Sequence, residues 1–579
     1  MLRIAALALA VLLSAATLEA KNLYVNNTGS PACSDATTYA NNTALLPWCT
    51  IGRAVWGNAS RSSPSSAQAA AAGDVVLVTG STYDASDHIV NRLDPLYNTT
   101  NSGTLGNYIE IRCIGDCTLT GAEVDAPAVG VTGKNYVKWF ADISLGYSWI
   151  INACGEDPDE PADTCGAGTF STTPDTGPGL CHVSTGCWLE GFVISGGAQL
   201  TYNDNYNAVR FENSTGATVR NSVFSDFRNA TDNHNASGVT LYGCNACLVE
   251  HLDIDNVGAG VYFKDAPGGD AQTANVVRFI KAVNVGECFA ESMTGQTNAG
   301  RVVQNTCNGF GFALEVTGGG GNQIDWINNS FYNGTSGGVF LNSPTGTGDR
   351  FFNNIIHTVP TGLVADGTWP AATAFNHQHG VVYTFTNFYN GTDGNRTLAS
   401  FNATYTDQNQ TTPVTITTDP LFVNTATGDF HLQGGSPALA LGVDVLDLDG
   451  DASTSDNIPA GAYVTGSEVI GIDVGGATAP DPPTIGTATA GNGQCVVTFT
   501  PPADDGGSTI TGYTATSSPS SITGTGSSSP ITVTGLSNGT GYTFTVTATN
   551  AQGTSSPSSA SNSCTPTAST APIRVRLTG

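Results

Sequence analysis

The strongest constraint in this chain is a repeat of roughly two dozen residues running from about 187 to 370. Aliphatic or aromatic residues that open a strand recur at Val239, Val261, Phe289, Phe312, Val339 and Leu363. The steps are 261−239 = 22, 289−261 = 28, 312−289 = 23, 339−312 = 27 and 363−339 = 24. Between them a second strand ends in a polar corner, as in Val219-Arg220-Asn221, Val249-Glu250-His251, Val303-Gln304-Asn305, Ile327-Asn328-Asn329 and Phe352-Asn353-Asn354. A coil this short cannot bury an apolar face alone, so successive coils must stack around one dry core. The expected fold class is all-β, a right-handed parallel β-helix. Asn221, Asn305, Asn329 and Asn354 are expected to form a ladder at one turn, because Asn tolerates left-handed backbone. His251 falls in that register as a ladder member, and Ala282 breaks it.

The rest of the chain fits around this repeat. With 579 residues, more than one unit is expected. The 70 Gly, 2 Met and 11% charged residues disfavour long amphipathic helices. Residues 21–186 are expected to hold the N-terminal cap and first coils, and 187–465 the remaining coils and a closing segment. A strand is expected at 22–26, a helix over 49–58 and again near 67–72, and a buried strand at 74–78. Further strands are expected at 108–112, 117–120 and 136–140, and a loop at 156–179.

Residues 1–20 look like a cleaved signal peptide. Arg3 precedes an apolar run over 4–13, and small residues follow. The run is shorter than the about 20 residues that a membrane span needs. Export makes the 14 Cys an expected disulfide set. Near neighbours suggest Cys33 with Cys49, Cys113 with Cys117, Cys154 with Cys165, Cys181 with Cys187, Cys244 with Cys247, Cys288 with Cys307, and Cys495 with Cys564. Cys244, Cys247 and His251 could start a zinc site, but no fourth ligand lies at suitable spacing.

The net charge of −28 argues against nucleic acid and against anionic membranes as partners. Seven of the 19 Lys and Arg fall between Arg210 and Arg301, and none lies between Thr397 and Ile573. An anionic ligand is therefore expected at the first region only.

Several segments resemble secreted pectate-lyase-like β-helix proteins. These are Asn22-Leu23-Tyr24-Val25, Pro47-Trp48-Cys49-Thr50-Ile51, Ala72-Gly73-Asp74-Val75-Val76-Leu77-Val78 and Asn107-Tyr108-Ile109-Glu110-Ile111. The ending is similar too: Asp419-Pro420-Leu421-Phe422-Val423, Asp429-Phe430-His431-Leu432, Ser436-Pro437-Ala438 and Gly461-Ala462-Tyr463. After a linker at 466–480, residues 481–567 resemble a fibronectin type III domain, ahead of a tail at 568–579. The matching residues are Pro482-Pro483, Val497-Thr498-Phe499, Pro501-Pro502, Gly512-Tyr513, Leu536 and Tyr542, the last placed like a corner tyrosine. That module implies a spacer or adhesive role.

The β-helix resemblance implies an extracellular polysaccharide as partner. Its leading functional implication is a lyase acting on a uronate polymer by β-elimination. The alternatives are a glycoside hydrolase and a non-catalytic glycan-binding or structural protein. Elimination needs the sugar carboxylate neutralised and the proton beside it removed. Aligned on their opening residues, the coils place Lys264, then Glu291 or Ser292, then Glu315 on neighbouring rungs, with Arg301 beside them as catalytic candidates. Arg210, Arg278 and Lys281 are the substrate-binding candidates. Asp447, Asp449, Asp451 and Asp456 suit calcium by their alternating oxygens, or a hydrogen-bonded cap. The polygalacturonase Gly-His-Gly and the pectate lyase Arg-x-Pro-x-x-Arg are absent, so the resemblance identifies an architecture and not a reaction.

Overall fold

A computed structural model describes residues 21–28, 32–58, 64–84, 99–120, 128–155, 170–172, 178–196, 206–228, 236–265, 272–293, 299–316, 324–342 and 350–366. It also describes 376–378, 381–383, 387–391, 419–424, 429–433, 436–440, 442–443, 457–458, 462, 480, 482–502, 510–550 and 553–568. The chain divides into two compact units, Met1–Asp473 and Val474–Gly579. The signal-peptide residues, Cys165 and the four aspartates at 447, 449, 451 and 456 lie outside the described residues.

The first unit is a right-handed parallel β-helix. Within the coils, strands pair in parallel with those one coil earlier and one coil later, while the closing segment adds two short antiparallel pairs, Phe422–Asn424 with Asp429–Leu432 and Gly442–Val443 with Asn457–Ile458. Right-handed crossover is the sense in which twisted strands pack back onto their own sheet. One column of core residues runs Val209, Val239, Val261, Phe289, Leu314, Val339, and Leu363 pairs with Val339 on the next coil. This corrects the expected phase at one coil, where Leu314 and not Phe312 continues the column. The steps there are 314−289 = 25 and 339−314 = 25. The misphasing has a local cause. Cys288 and Phe289 both join the core, as do Ala313 and Leu314, so strict alternation fails there. The register also shifts between Phe310 and Phe312, and Phe312 pairs with Glu287. Glu287 in turn pairs with Ala259, which lies outside the main core.

The polar corner consists of two adjacent columns rather than one ladder. Left-handed backbone occurs at Asn221, His251, Phe279, Gln304, Asn328 and Asn353, with φ from 49° to 57°. The next residue of each coil points inward, and there Asn305, Asn329 and Asn354 form a buried amide ladder. Asn305 Nδ2 donates to Asn329 Oδ1 and Asn329 Nδ2 to Asn354 Oδ1, both at 2.8 Å. Ile280 fills the same position one coil earlier, its N–H donating to Asn305 Oδ1 at 2.9 Å. Ala282 pairs with Ile254 and Cys307, outside both columns, so it does not break them. His251 sits in the left-handed column with its ring stacked on Phe279 at 4.9 Å between centroids.

A short helix, Ile51–Trp56, belongs to the N-terminal cap, and all six of its residues are buried. Thr50 caps it by accepting from the Arg53 N–H. The Arg53 guanidinium lies 4.7 Å from the Trp48 ring and donates to the carbonyls of Asp35, Thr37 and Gln68. At the far end the closing segment returns to the helix, where the Ala462 N–H donates to Ser330 Oγ at 3.0 Å. Disulfides join Cys33–Cys49, Cys113–Cys117, Cys181–Cys187, Cys244–Cys247 and Cys288–Cys307. The Cys244–Cys247 bond excludes the zinc alternative at that pair.

The second unit is an antiparallel β-sandwich of two three-stranded sheets with a Cys495–Cys564 disulfide. Val497, Phe499, Ala515, Val533, Leu536, Phe544 and Val546 fill its core. The Tyr542 hydroxyl accepts from the Ser537 N–H at 3.1 Å, closing a tyrosine corner. Its last segment advances three residues for every two on the neighbouring strand. Ser555, Ser558 and Ser561 each give their N–H to, and take an N–H on the hydroxyl from, Ala548, Val546 and Phe544 respectively.

Candidate functional site on the outer face of the coils

Six stacked strands share one side that points away from the main core: Tyr206–Glu212, Ala236–Tyr242, Ala259–Lys264, the end of Asn275–Ser292, the end of Thr306–Val316 and the end of Ser330–Asn342. Ser237, Thr240, Ala259, Tyr262, Glu287 and Ala290 on it are buried, while Arg210, Tyr242, Lys264, Ser292, Phe312, Glu315 and Phe340 are half-buried. Three columns of side chains run up it at about 4.8 Å per rung. The first is Asn207, Ser237, Ala259, Glu287, Phe312, Gly337. The second is Arg210, Thr240, Tyr262, Ala290, Glu315, Phe340. The third is Glu212, Tyr242, Lys264, Ser292.

Because Cys288 and Phe289 both turn inward, Glu287 lies on the same face as Ala290, one rung from Glu315. Burial pushes the Glu315 carboxyl above the ordinary carboxylate range, and neighbouring Glu287 offsets part of that rise. Glu315 therefore keeps its proton to higher pH than an isolated glutamate does.

Tyr262 packs against Ala259 and Ala290. Burial raises its phenol well above the usual range. A hydrogen bond to Ser292 acts the other way, and the charges of Glu315, Tyr242 and Glu287 add to the rise. Lys264 Nζ lies 5.5 Å from the Tyr262 ring centroid and 5.8 Å from that of Tyr242. Rings at this range favour the charged ammonium. The Arg210 guanidinium lies 4.6 Å from the other side of this group, at the Tyr242 ring, and pairs with Glu212 at 3.0 Å. Phe312 and Phe340, both half-buried, stack at 5.0 Å just beyond Glu315.

The face therefore gathers Lys264, Glu315 and Arg210. It does not gather the other candidates. Ser292, and not Glu291, pairs with Lys264. Glu291 is fully buried in a column with Phe263 and Val316, both core residues. Arg278 stands near the start of Asn275–Ser292, away from the end that forms the face, where Glu190, Arg220, Glu250 and Arg278 alternate in sign up one column. Its guanidinium is 2.8 Å from Glu250. Arg301 lies in Gly300–Val303, stacked on that start, 3.9 Å from Asp325. Lys281, farther along Asn275–Ser292, stacks between Asp253 and Thr306. Of the two alternatives at the rung beside Lys264 the register selects Ser292, whereas Glu287, Tyr262, Tyr242 and Phe340 are not expected from sequence. The signal that could have found Glu287 is the doubled inward residue, visible as Cys288-Phe289 and Ala313-Leu314.

Among the described residues no cluster of three or more His, Cys, Asp or Glu has the arrangement of a metal site. Among them, too, no helix is long and apolar enough to cross a membrane.

Comparison with known proteins decides the C-terminal unit. The fibronectin type III domain family matches residues 480–563. These residues form a fibronectin type III domain. Within the solved structure titled "Titin kinase and its flanking domains", a segment is 33% identical over 15% of this chain, with a TM-score of 0.14. The chain spans only 17% of that protein's length. The N-terminal unit aligns with a hyperthermoactive exopolygalacturonase from Thermotoga maritima at 11% identity and a TM-score of 0.37, over 55% of this chain and 82% of that one. It also aligns with XylC, solved in complex with xylose, at 10% identity and a TM-score of 0.35, over 65% and 85%. The β-helix assignment rests on the strand register and not on these two alignments. No curated protein matches the chain.

Proposed function

We propose that this is a secreted protein that cleaves an acidic, uronate-containing polysaccharide on the outer face around Tyr262, Lys264, Glu287 and Glu315. The observation that carries the reading is the placing of two carboxyl groups, Glu287 and Glu315, on successive rungs of a face that also brings Lys264 to the Tyr242 and Tyr262 rings. In β-elimination Lys264 neutralises the sugar carboxylate, which acidifies the neighbouring C–H. The ionised carboxyl of the pair takes that proton as the C–O bond to the next sugar breaks. The protonated one gives its proton to the leaving oxygen. The pair begins and ends with one proton, so no further acid or base is consumed.

Two carboxyls also favour a second reading, a glycoside hydrolase in which the same pair activates water and protonates the leaving oxygen. Incubation of the full chain with alginate, pectate and glycosaminoglycans, with and without calcium, separates the readings. Unsaturated-uronate absorbance supports a lyase. New reducing ends without that absorbance support a hydrolase. Binding with neither product would leave a non-catalytic glycan-binding protein and defeat both.

A further inference from the structure

Asp74 is a buried carboxylate remote from the outer face described above. It is 1% exposed and stands directly before the strand Val75–Thr79. Its Oδ2 accepts from the Tyr39 hydroxyl at 2.7 Å and from the Ala71 N–H at 2.8 Å. Its Oδ1 accepts from the backbone nitrogen of Lys21 at 2.9 Å. Among the described residues no lysine, arginine or histidine side chain forms an ion pair with it. The Lys21 side-chain ammonium turns elsewhere, to the carbonyls of Tyr39 and Ala40. A carboxylate taken out of water is held best by a counter-charge together with hydrogen bonds, and the uncleaved chain supplies only the hydrogen bonds.

Lys21 is also the first residue after the leader-like stretch 1–20, which ends Leu18-Glu19-Ala20 with a small residue last. Its carbonyl accepts from the Val75 N–H at 3.0 Å, and Asn22–Val25 then pairs in parallel with residues 75–78. The nitrogen that faces Asp74 is therefore the one that a leader-cleaving protease would free.

We infer that cleavage between Ala20 and Lys21 builds a buried ion pair, in which the new α-ammonium of Lys21 is the counter-charge of Asp74. Hydrolysis adds one water across the peptide bond, leaving a carboxylate on Ala20 and an ammonium on Lys21. A neutral N–H donor becomes a cationic one in the same place, and charge-assisted bonds are about twice as strong as neutral ones. Processing thereby fastens the first strand, whose Leu23 and Val25 are fully buried, onto the first coil. Cleavage after Ala16 would instead leave residues 17–20 ahead of Lys21 and keep the neutral donor at Asp74.

The test compares the secreted full chain with a version carrying Gly-Ser inserted between Ala20 and Lys21, each with Asp74 intact and with Asp74→Asn. Intact mass and N-terminal sequencing of the natural protein should give Lys21 as the first residue, and a start at Thr17 overturns the inference. Exchange of the Val75 amide hydrogen, which bonds to Lys21, reports the docking directly. With Asp74 intact, the inserted residues should speed that exchange at least about tenfold. In the Asp74→Asn background the same insertion should change it by less than about twofold. No acceleration with Asp74 intact, or equal acceleration in both backgrounds, overturns the inference. The N-terminal sequence and the effect of the insertion with Asp74 intact decide it even where Asp74→Asn fails to fold.

Discussion

Glu287 and Glu315 are 28 residues apart in sequence, yet they lie on successive rungs of one face. Stacking of the coils brings the two carboxyls together, and burial raises that of Glu315.

Glu315→Gln should abolish turnover, by about 10²–10⁴-fold, while leaving glycan binding intact. Assay of both on the same preparation checks this. Equal loss of binding would make Glu315 part of the binding surface rather than of the proton-transferring pair.

The same residue sets a pH dependence. Its folded carboxyl is raised, so the native state holds a proton that the unfolded chain has lost. Stability contributed here is complete below the ordinary glutamate range of about 4.3 and declines as pH rises through the raised value. Thermal midpoints of wild type and Glu315→Gln should match at low pH and diverge above that range, with the variant the more stable. Parallel curves would contradict the raised carboxyl.

His357 provides an opposite sign at the C-terminal closure. Its ring lies 4.9 Å from Tyr332 and 5.9 Å from Phe422, and burial lowers its pKa against the weaker pull of Asp419. The stability it contributes is present above its unfolded pKa of about 6.5 and is lost as pH falls through the lower folded value. Replacement His357→Phe should flatten the decline in thermal midpoint on acidification. An unchanged slope would place the acid sensitivity elsewhere.

Asn329→Ala should cost about 2–4 kcal/mol, since it strips the Asn305 amide of an acceptor and the Asn354 carbonyl of a donor inside a dry core. Denaturant unfolding of the first unit measures it. A loss near zero would mean that the ladder is filled equally well by water.

The period was legible because the inner column is aliphatic or aromatic at each coil, from Val239 to Leu363. Where a strand bends, alternation was misleading. Phe312 looks like a core residue by type but faces outward, since Ala313 and Leu314 both turn in. The same bend hid Glu287 and made Glu291 look available, although Glu291 follows Phe263 into the core. Arg278 reads as a ligand contact in the sequence because an isolated arginine on a strand gives no sign of its partner. Glu250 becomes that partner only once coils 28 residues apart are in register. The Tyr542 corner could be read directly, because its partner at Ser537 is five residues away.

The most direct test of the site is a crystal structure of Glu315→Gln grown with an acidic oligosaccharide. The account predicts sugar density along the columns from Tyr242 to Phe340, with a uronate carboxylate at Lys264 Nζ. Ordered sugar bound on another face of the β-helix, with this one bare, would contradict it.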